Sequence, residues 1–78
     1  PDSRAPFLSI VMPAFDEEAR IGESLERLTR FLEAHSATWK DGGTWEIVVA
    51  DDGSTDGTAA IVDALTRAEP RVRRIAID

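Results

Sequence analysis

Apolar residues fall along this chain in two alternating patterns. Three short apolar runs stand out, Phe7–Met12, Trp45–Ala50 and Val72–Ile77, and the first two are nearly continuous rather than alternating. That pattern predicts strands covered on both faces. Pro13 closes the first of them. Between the runs lie two stretches with helical period. Over Gly22–His35, the residues Ile21, Leu25, Leu28 and Leu32 recur at spacings of 4, 3 and 4 and form one stripe, widened by Phe31. Glu23, Glu26, Arg27, Arg30 and Glu33 fall mostly on the other face, and Asp16, Glu17, Glu18 and Glu23 crowd the positive end of the helix dipole. A second helix starts at Asp56 or Thr58, carries the stripe Ile61, Ala64, Leu65 and Ala68, and ends at Pro70. Ser36–Thr44 is a connector with Asp41-Gly42-Gly43 as its turn signal, and Asp51–Gly57 is built mainly of turn and cap formers. The order β-α-β-α-β predicts an α/β fold, a Rossmann-like parallel sheet with right-handed crossovers. No repeat, linker or internal boundary interrupts it.

Composition narrows the picture. At 78 residues there is room for one domain, residues 1–78, and with no cysteine neither a disulfide framework nor a cysteine-ligated zinc can brace it. A hydrophobic share of 42% excludes a disordered chain. The net charge of −6 has the wrong sign for a general nucleic-acid binder, whose affinity comes from neutralising phosphates. The longest apolar run, Ile10–Phe15, is far short of the roughly 20 residues of a membrane helix. Pro1-Asp2-Ser3-Arg4 lacks the basic-then-apolar signature of a signal peptide.

Ligands of open parallel sheets bind at the carboxyl ends of the strands. Two loops fall on that edge here, and both are acidic: Pro13-Ala14-Phe15-Asp16-Glu17-Glu18 and Asp51-Asp52-Gly53-Ser54-Thr55-Asp56-Gly57. Like charges brought together favour a compensating cation or hydrogen-bonding ligand, and solvated turns and helix caps are the competing reading. No Lys-Ser or Lys-Thr follows Gly57, so the segment is not a P-loop, and no G-x-G-x-x-G fingerprint occurs. Asp52–Gly57 fits the first half of an EF-hand loop, but a strand precedes it where an entering helix is needed. His35 reads as a surface or helix-dipole residue, Trp45 as core or strand anchor, and Trp39 as satellite packing. Phe15 has two readings, a ring stacked on a nucleobase or one packed back on the sheet. Arg73 and Arg74 are consecutive and point to opposite faces of a strand, which suits an exposed edge better than a phosphate clamp.

The two loops together resemble a known family. Ser9-Ile10-Val11-Met12-Pro13-Ala14-Phe15-Asp16-Glu17-Glu18 is similar to the opening strand and loop of family 2 inverting glycosyltransferases, P-x-Y-N-E, and Val48–Thr58 is similar to their D-D-G-S-x-D-G-T motif. Their order and their separation of about 35 residues also fit. The Glu-Glu-Ala-Arg-Ile continuation looks most like the dolichyl- or polyprenyl-phosphate glucosyl- and mannosyltransferase branch.

The resemblance implies the nucleotide-binding half of a GT-A fold, which holds a nucleotide diphosphate sugar (a UDP- or GDP-sugar) for inverting hexose transfer, with a polyprenyl phosphate as one candidate acceptor. Carried over by position, Pro13, Ala14, Phe15 and Glu17 line the nucleoside pocket, Ala50 contacts it through its backbone, Asp52 hydrogen-bonds the base, and Asp51 supports the turn. Phe15 replaces the usual Tyr and keeps stacking without the phenol. Asp16 replaces the usual Asn and is expected to weaken any hydrogen bond that its N–H made in the loop. The family holds Mg²⁺ or Mn²⁺ on an Asp-x-Asp motif, and none occurs in these 78 residues, so neither a metal ligand nor a catalytic base is assigned. The resemblance thus implies the N-terminal part of a longer transferase, inactive alone, cytoplasmic or at the membrane surface; a separate reading is a structural unit that self-associates through an exposed sheet edge. The alternative is a non-catalytic module binding a nucleotide or a divalent cation.

Overall fold

A computed structural model describes residues 8–39 and 43–77. Phe7, the Asp41-Gly42 pair and the N-terminal tetrapeptide lie outside the described residues. Strand β1 is Leu8–Ala14, helix α1 Ile21–Ser36, strand β2 Trp45–Asp51, helix α2 Thr58–Ala68 and strand β3 Val72–Ala76. The strands are parallel in the order β1-β2-β3, with Ile10 beside Ile47 and Ile47 beside Val72. Both crossovers step the same way across the sheet, so their right-handed sense puts both helices on one face. This is the expected β-α-β-α-β architecture.

The core lies between that face and the helices. Ile21, Leu25 and Leu32 of α1 and Val62 of α2 are buried with Ala14, Trp45, Ile47, Val49 and Val72 of the sheet. Leu8, Ile10 and Met12 pack against them from β1. The opposite face carries no helix among the described residues, and this corrects the expectation of strands covered on both sides. Along β1 burial alternates, and Val11 is 63% exposed. In β3 only Val72 is buried. A continuous apolar run cannot tell an edge strand from a central one. Only β2, with a neighbour on each side, is buried on both faces, Val48 and Ala50 included.

Pro13 does not end the first strand. The Ala14 carbonyl accepts the Asp52 N–H at 2.9 Å, so the even-numbered residues of β1 turn their backbone groups toward β2. The missing N–H of Pro13 therefore falls on the free edge, where no ladder bond is lost.

The helices also correct two expectations. Phe31 does not widen the α1 stripe; it is 55% exposed and stacks on His35 with ring centroids 4.2 Å apart. In α2 Ala64 and Ala68 are exposed, and the inward row is Thr58, Ile61, Val62 and Leu65. That row is the regular i, i+3, i+4, i+7 stripe. It is hidden in the sequence because its first member is a polar residue.

At the amino-terminal end of the sheet, Arg71 fastens several elements. Its guanidinium lies 4.0 Å over the ring of buried Trp45 and bonds Glu69 at 2.8 and 2.9 Å and Glu33 of α1 at 3.0 Å. Those carboxylates hold the arginine charged well above its ordinary range.

Core and open face should respond differently to substitution. Leu25→Ala is expected to cost about 3 kcal/mol. Val11→Thr should change stability by less than about 0.5 kcal/mol. Urea denaturation of the two variants of this chain measures both, and a large loss for Val11→Thr would show that a layer covers the open face.

Candidate functional site

The two acidic loops meet at the carboxyl edge of the sheet, and they meet through backbone N–H groups that donate to side-chain oxygens. The Asp16 N–H donates to the Ser54 hydroxyl at 2.9 Å, and the Thr55 N–H donates to the Asp16 carboxylate at 2.8 Å. The Glu17 N–H donates to the Thr58 hydroxyl at 2.8 Å, and the Glu18 N–H to the Asp56 carboxylate at 3.2 Å. In return the Gly57 N–H donates to the Glu18 carboxylate. Thr58, fully buried, donates both its N–H and its hydroxyl to Asp56. The carboxylates expected to repel one another are thus held apart by amides that need acceptors. The Thr58 hydroxyl is the main reason that the Asp56 carboxyl lies below its ordinary value of 3.8.

Local conformation follows from these bonds. Asp16 has φ 48° and Gly53 has φ 72°, both in the left-handed region. Glycine enters that region freely, and aspartate is among the few side chains that tolerate it. The replacement of Asn by Asp at position 16 therefore does not cost the loop this bond: what the Thr55 amide needs from the side chain is an acceptor. A Cβ on Gly57 would stand 2.8 Å from the Glu18 carboxylate oxygen, so a side chain there would push aside the end of the Glu18 side chain that accepts the Gly57 N–H. Glu17 and Glu18 do not act as helix caps through their side chains. Helix α1 begins instead when the Glu17 carbonyl accepts the N–H groups of Arg20 and Ile21.

Asp51 and Asp52 diverge. Asp51 is 4% exposed and turned to the helix side, where it accepts the Ser54 N–H at 3.1 Å and faces Arg74 at 3.5 Å. Arg74 in turn makes a two-pronged bond to Asp63 of α2, at 2.9 and 3.0 Å. Arg73 points to the open face and pairs with Glu46 at 3.5 Å. The two arginines thus take opposite faces, as expected of consecutive strand residues. Asp52 is exposed, on the open face.

A cavity of about 430 Å³ opens where the loops leave the sheet, lined by Pro13, Ala14, Phe15, Glu17, Ala50, Asp52 and Ile77. Six of the seven residues singled out in the sequence line it. The seventh, Asp51, lies behind it and holds the Ser54 amide of the turn. Phe15 is 56% exposed at the rim, so its ring is not packed back on the sheet. Small Ala50 gives a flat floor, and the Asp52 carboxylate stands beside it. Sequence reasoning missed Ile77, whose N–H bonds the Asp51 carbonyl at 2.9 Å. It also missed the clasp formed by Ser54 and Thr58.

Residues 9–77 match the family described as glycosyl transferase family 2. The chain belongs to that family. Among curated proteins this family 2 chain is 42% identical over 62 residues to a dolichyl-phosphate beta-glucosyltransferase of Trichomonas vaginalis, a match covering 78% of the chain and 18% of the relative. It is 44% identical over 57 residues to the dolichyl-phosphate beta-glucosyltransferase of Saccharomyces cerevisiae, covering 73% and 16%. It is 41% identical over 64 residues to an undecaprenyl-phosphate 4-deoxy-4-formamido-L-arabinose transferase of Shewanella sediminis, covering 82% and 17%. The chain therefore spans less than a fifth of the length of each of these three relatives. All three relatives are named as transferases acting with dolichyl or undecaprenyl phosphate. No solved structure gives a significant match.

The divalent cation implied by the family finds no complete ligand set among the described residues. No group of three His, Cys, Asp or Glu side chains comes together there. Asp51 is engaged with Ser54 and Arg74, and Asp56 with Thr58 and Glu18. Only the Asp52 carboxylate faces the cavity beside Glu17, which is paired with Arg20 at 2.7 Å.

Two measurements test this account of the loops. Asp16→Ala removes an acceptor and a residue tolerant of the left-handed region, so it should cost about 1–2 kcal/mol and speed hydrogen exchange at the Thr55 amide. Asp16→Asn keeps both properties and should stay within about 0.5 kcal/mol. The second concerns pH. The Arg74 hydrogen bonds hold the Asp63 carboxyl below its ordinary 3.8, so the folded pKa is lower than the unfolded one. Such a group contributes stability above the unfolded value and loses it as pH falls through the folded value. Denaturation at pH 5 and pH 3 should show the chain weaker at pH 3, with a smaller difference in Asp63→Asn.

Proposed function

We propose that this chain is the nucleotide-reading part of a glycosyltransferase, and that the cavity at the carboxyl edge takes the nucleoside of a nucleotide diphosphate sugar. The observation that carries this reading is the meeting, in one cavity, of an exposed ring, a flat alanine floor and an unshielded carboxylate. A planar base can stack on Phe15, and its N–H edge can donate to Asp52 while Pro13 and Ala14 shape the wall. Base stacking on an aromatic side chain is worth about 1–3 kcal/mol and a hydrogen bond to a charged group about 1.5–3 kcal/mol.

In the whole protein, the acceptor oxygen forms a bond to the anomeric carbon as the bond to the diphosphate breaks. The electron pair leaves with the nucleoside diphosphate, and the configuration inverts. The printed names of the relatives support a polyprenyl phosphate as acceptor, and such an acceptor would be met at the cytoplasmic surface of a membrane. No helix among the described residues is long and apolar enough to cross a membrane. A bound Mg²⁺ or Mn²⁺ would neutralise the leaving diphosphate, with most of its ligands outside residues 8–77. Self-association through the free edges of β1 and β3 is a separate proposal, tested by concentration-dependent sedimentation.

Calorimetric titration with UDP, GDP and their sugars, with and without Mg²⁺, tests the function. Binding that depends on the base, and that weakens about tenfold or more in both Phe15→Ala and Asp52→Ala, is the expected result. Metal binding without any nucleotide binding would replace this reading by the cation module.

A further inference from the structure

Three strands end in one row at the carboxyl edge. Ala14, Asp51 and Ala76 stand side by side in the register, and Phe15, Asp52 and Ile77 each follow by one residue. The strand order β1-β2-β3 therefore sets Phe15 and Ile77 on either side of Asp52. All three line the same cavity. Phe15 and Ile77 are both large and apolar, and both are exposed, Ile77 by 44%. Ile77 belongs to no part of the core. Its main chain is nevertheless fixed, because its N–H continues the ladder to the Asp51 carbonyl.

We infer that Ile77 is the second apolar wall of the base slot, facing Phe15 across Asp52, so that a nucleobase is gripped between a ring and an aliphatic side chain with its polar edge on the carboxylate. This rests on the nucleotide reading above and adds a residue that neither the motifs nor the resemblance supplied. The physical case is that of any planar heteroaromatic ligand. Its two faces are apolar and its edge is polar, so a slot with one apolar wall leaves the second face in water. Burying that face against a branched aliphatic side chain adds affinity in proportion to the area covered. The wall should act on the base alone, since Ile77 has no polar side-chain atom to offer a sugar or a phosphate.

The experiment is calorimetric titration of the full-length protein with UDP, GDP and inorganic pyrophosphate, comparing the natural residue with Ile77→Ala, Ile77→Thr and Ile77→Leu. Ile77→Ala and Ile77→Thr should weaken the nucleoside diphosphate that binds by about five- to tenfold. They should leave pyrophosphate affinity within about twofold and Tm within about 2 °C, since Ile77 lies outside the core. Ile77→Leu should recover most of the loss. Nucleotide affinity unchanged in Ile77→Ala and Ile77→Thr, while Phe15→Ala and Asp52→Ala lose it, overturns this inference and leaves the nucleotide reading standing. An equal loss toward pyrophosphate also overturns it, because the residue would then act through the turn rather than on the base. Absence of any nucleotide binding by the natural protein overturns both.

Discussion

The structure depends on a requirement of the backbone. Where parallel strands end, the chain must leave the ladder, and the amides of the departing loops lose their strand partners. Here two such loops lie side by side, and each supplies acceptors for the other. Thr58 carries the largest share: its hydroxyl accepts the Glu17 amide and donates to Asp56, while its own N–H also goes to Asp56. A buried polar side chain is tolerable only when satisfied in this way. The clasp fixes where α1 and α2 begin, and with them which faces meet the sheet.

From that constraint the cavity follows. With the loops tied together, Phe15 stands exposed at the rim, and Asp52 lies on the side away from the helices. Arg74 adds a tie from below, linking Asp63 of α2 to the buried Asp51 that holds the turn. At the far end of the sheet, Arg71 does comparable work with Trp45, Glu33 and Glu69. Polar networks thus close the two ends of the sheet, with the apolar core between them.

Much of this was legible in the residue order. The element sequence β-α-β-α-β, the α1 stripe and the turn at Gly53 all follow from local periodicity and turn chemistry, which operate within a few residues. The two motifs pointed to the edge where the cavity opens. What escaped was long-range. The run Phe7–Met12 looks fully buried because composition does not record that β1 is an edge strand, whereas Arg73 and Arg74 mark the third run as an exposed edge, where β3 lies. Thr58 and Val62 were passed over because the inward row of α2 opens on a hydroxyl. The acidic loops read as mutually repulsive because their partners, Ser54 for Asp16 and Gly57 for Glu18, lie 38 and 39 residues away in the chain. Ile77 resembled a strand end until the register set it level with Phe15 and Asp52.

The alternation of β1 has one more consequence. Leu8, Ile10 and Met12 look toward the helices, while Val11 and Pro13 look the other way, and Pro13 borders the cavity. Core and recognition therefore share a strand, meet at Ala14, and otherwise use different letters of it. Of the residues that line the cavity, Pro13, Phe15, Asp52 and Ile77 lie outside the core, so substitutions there can retune what it accepts at little cost to folding.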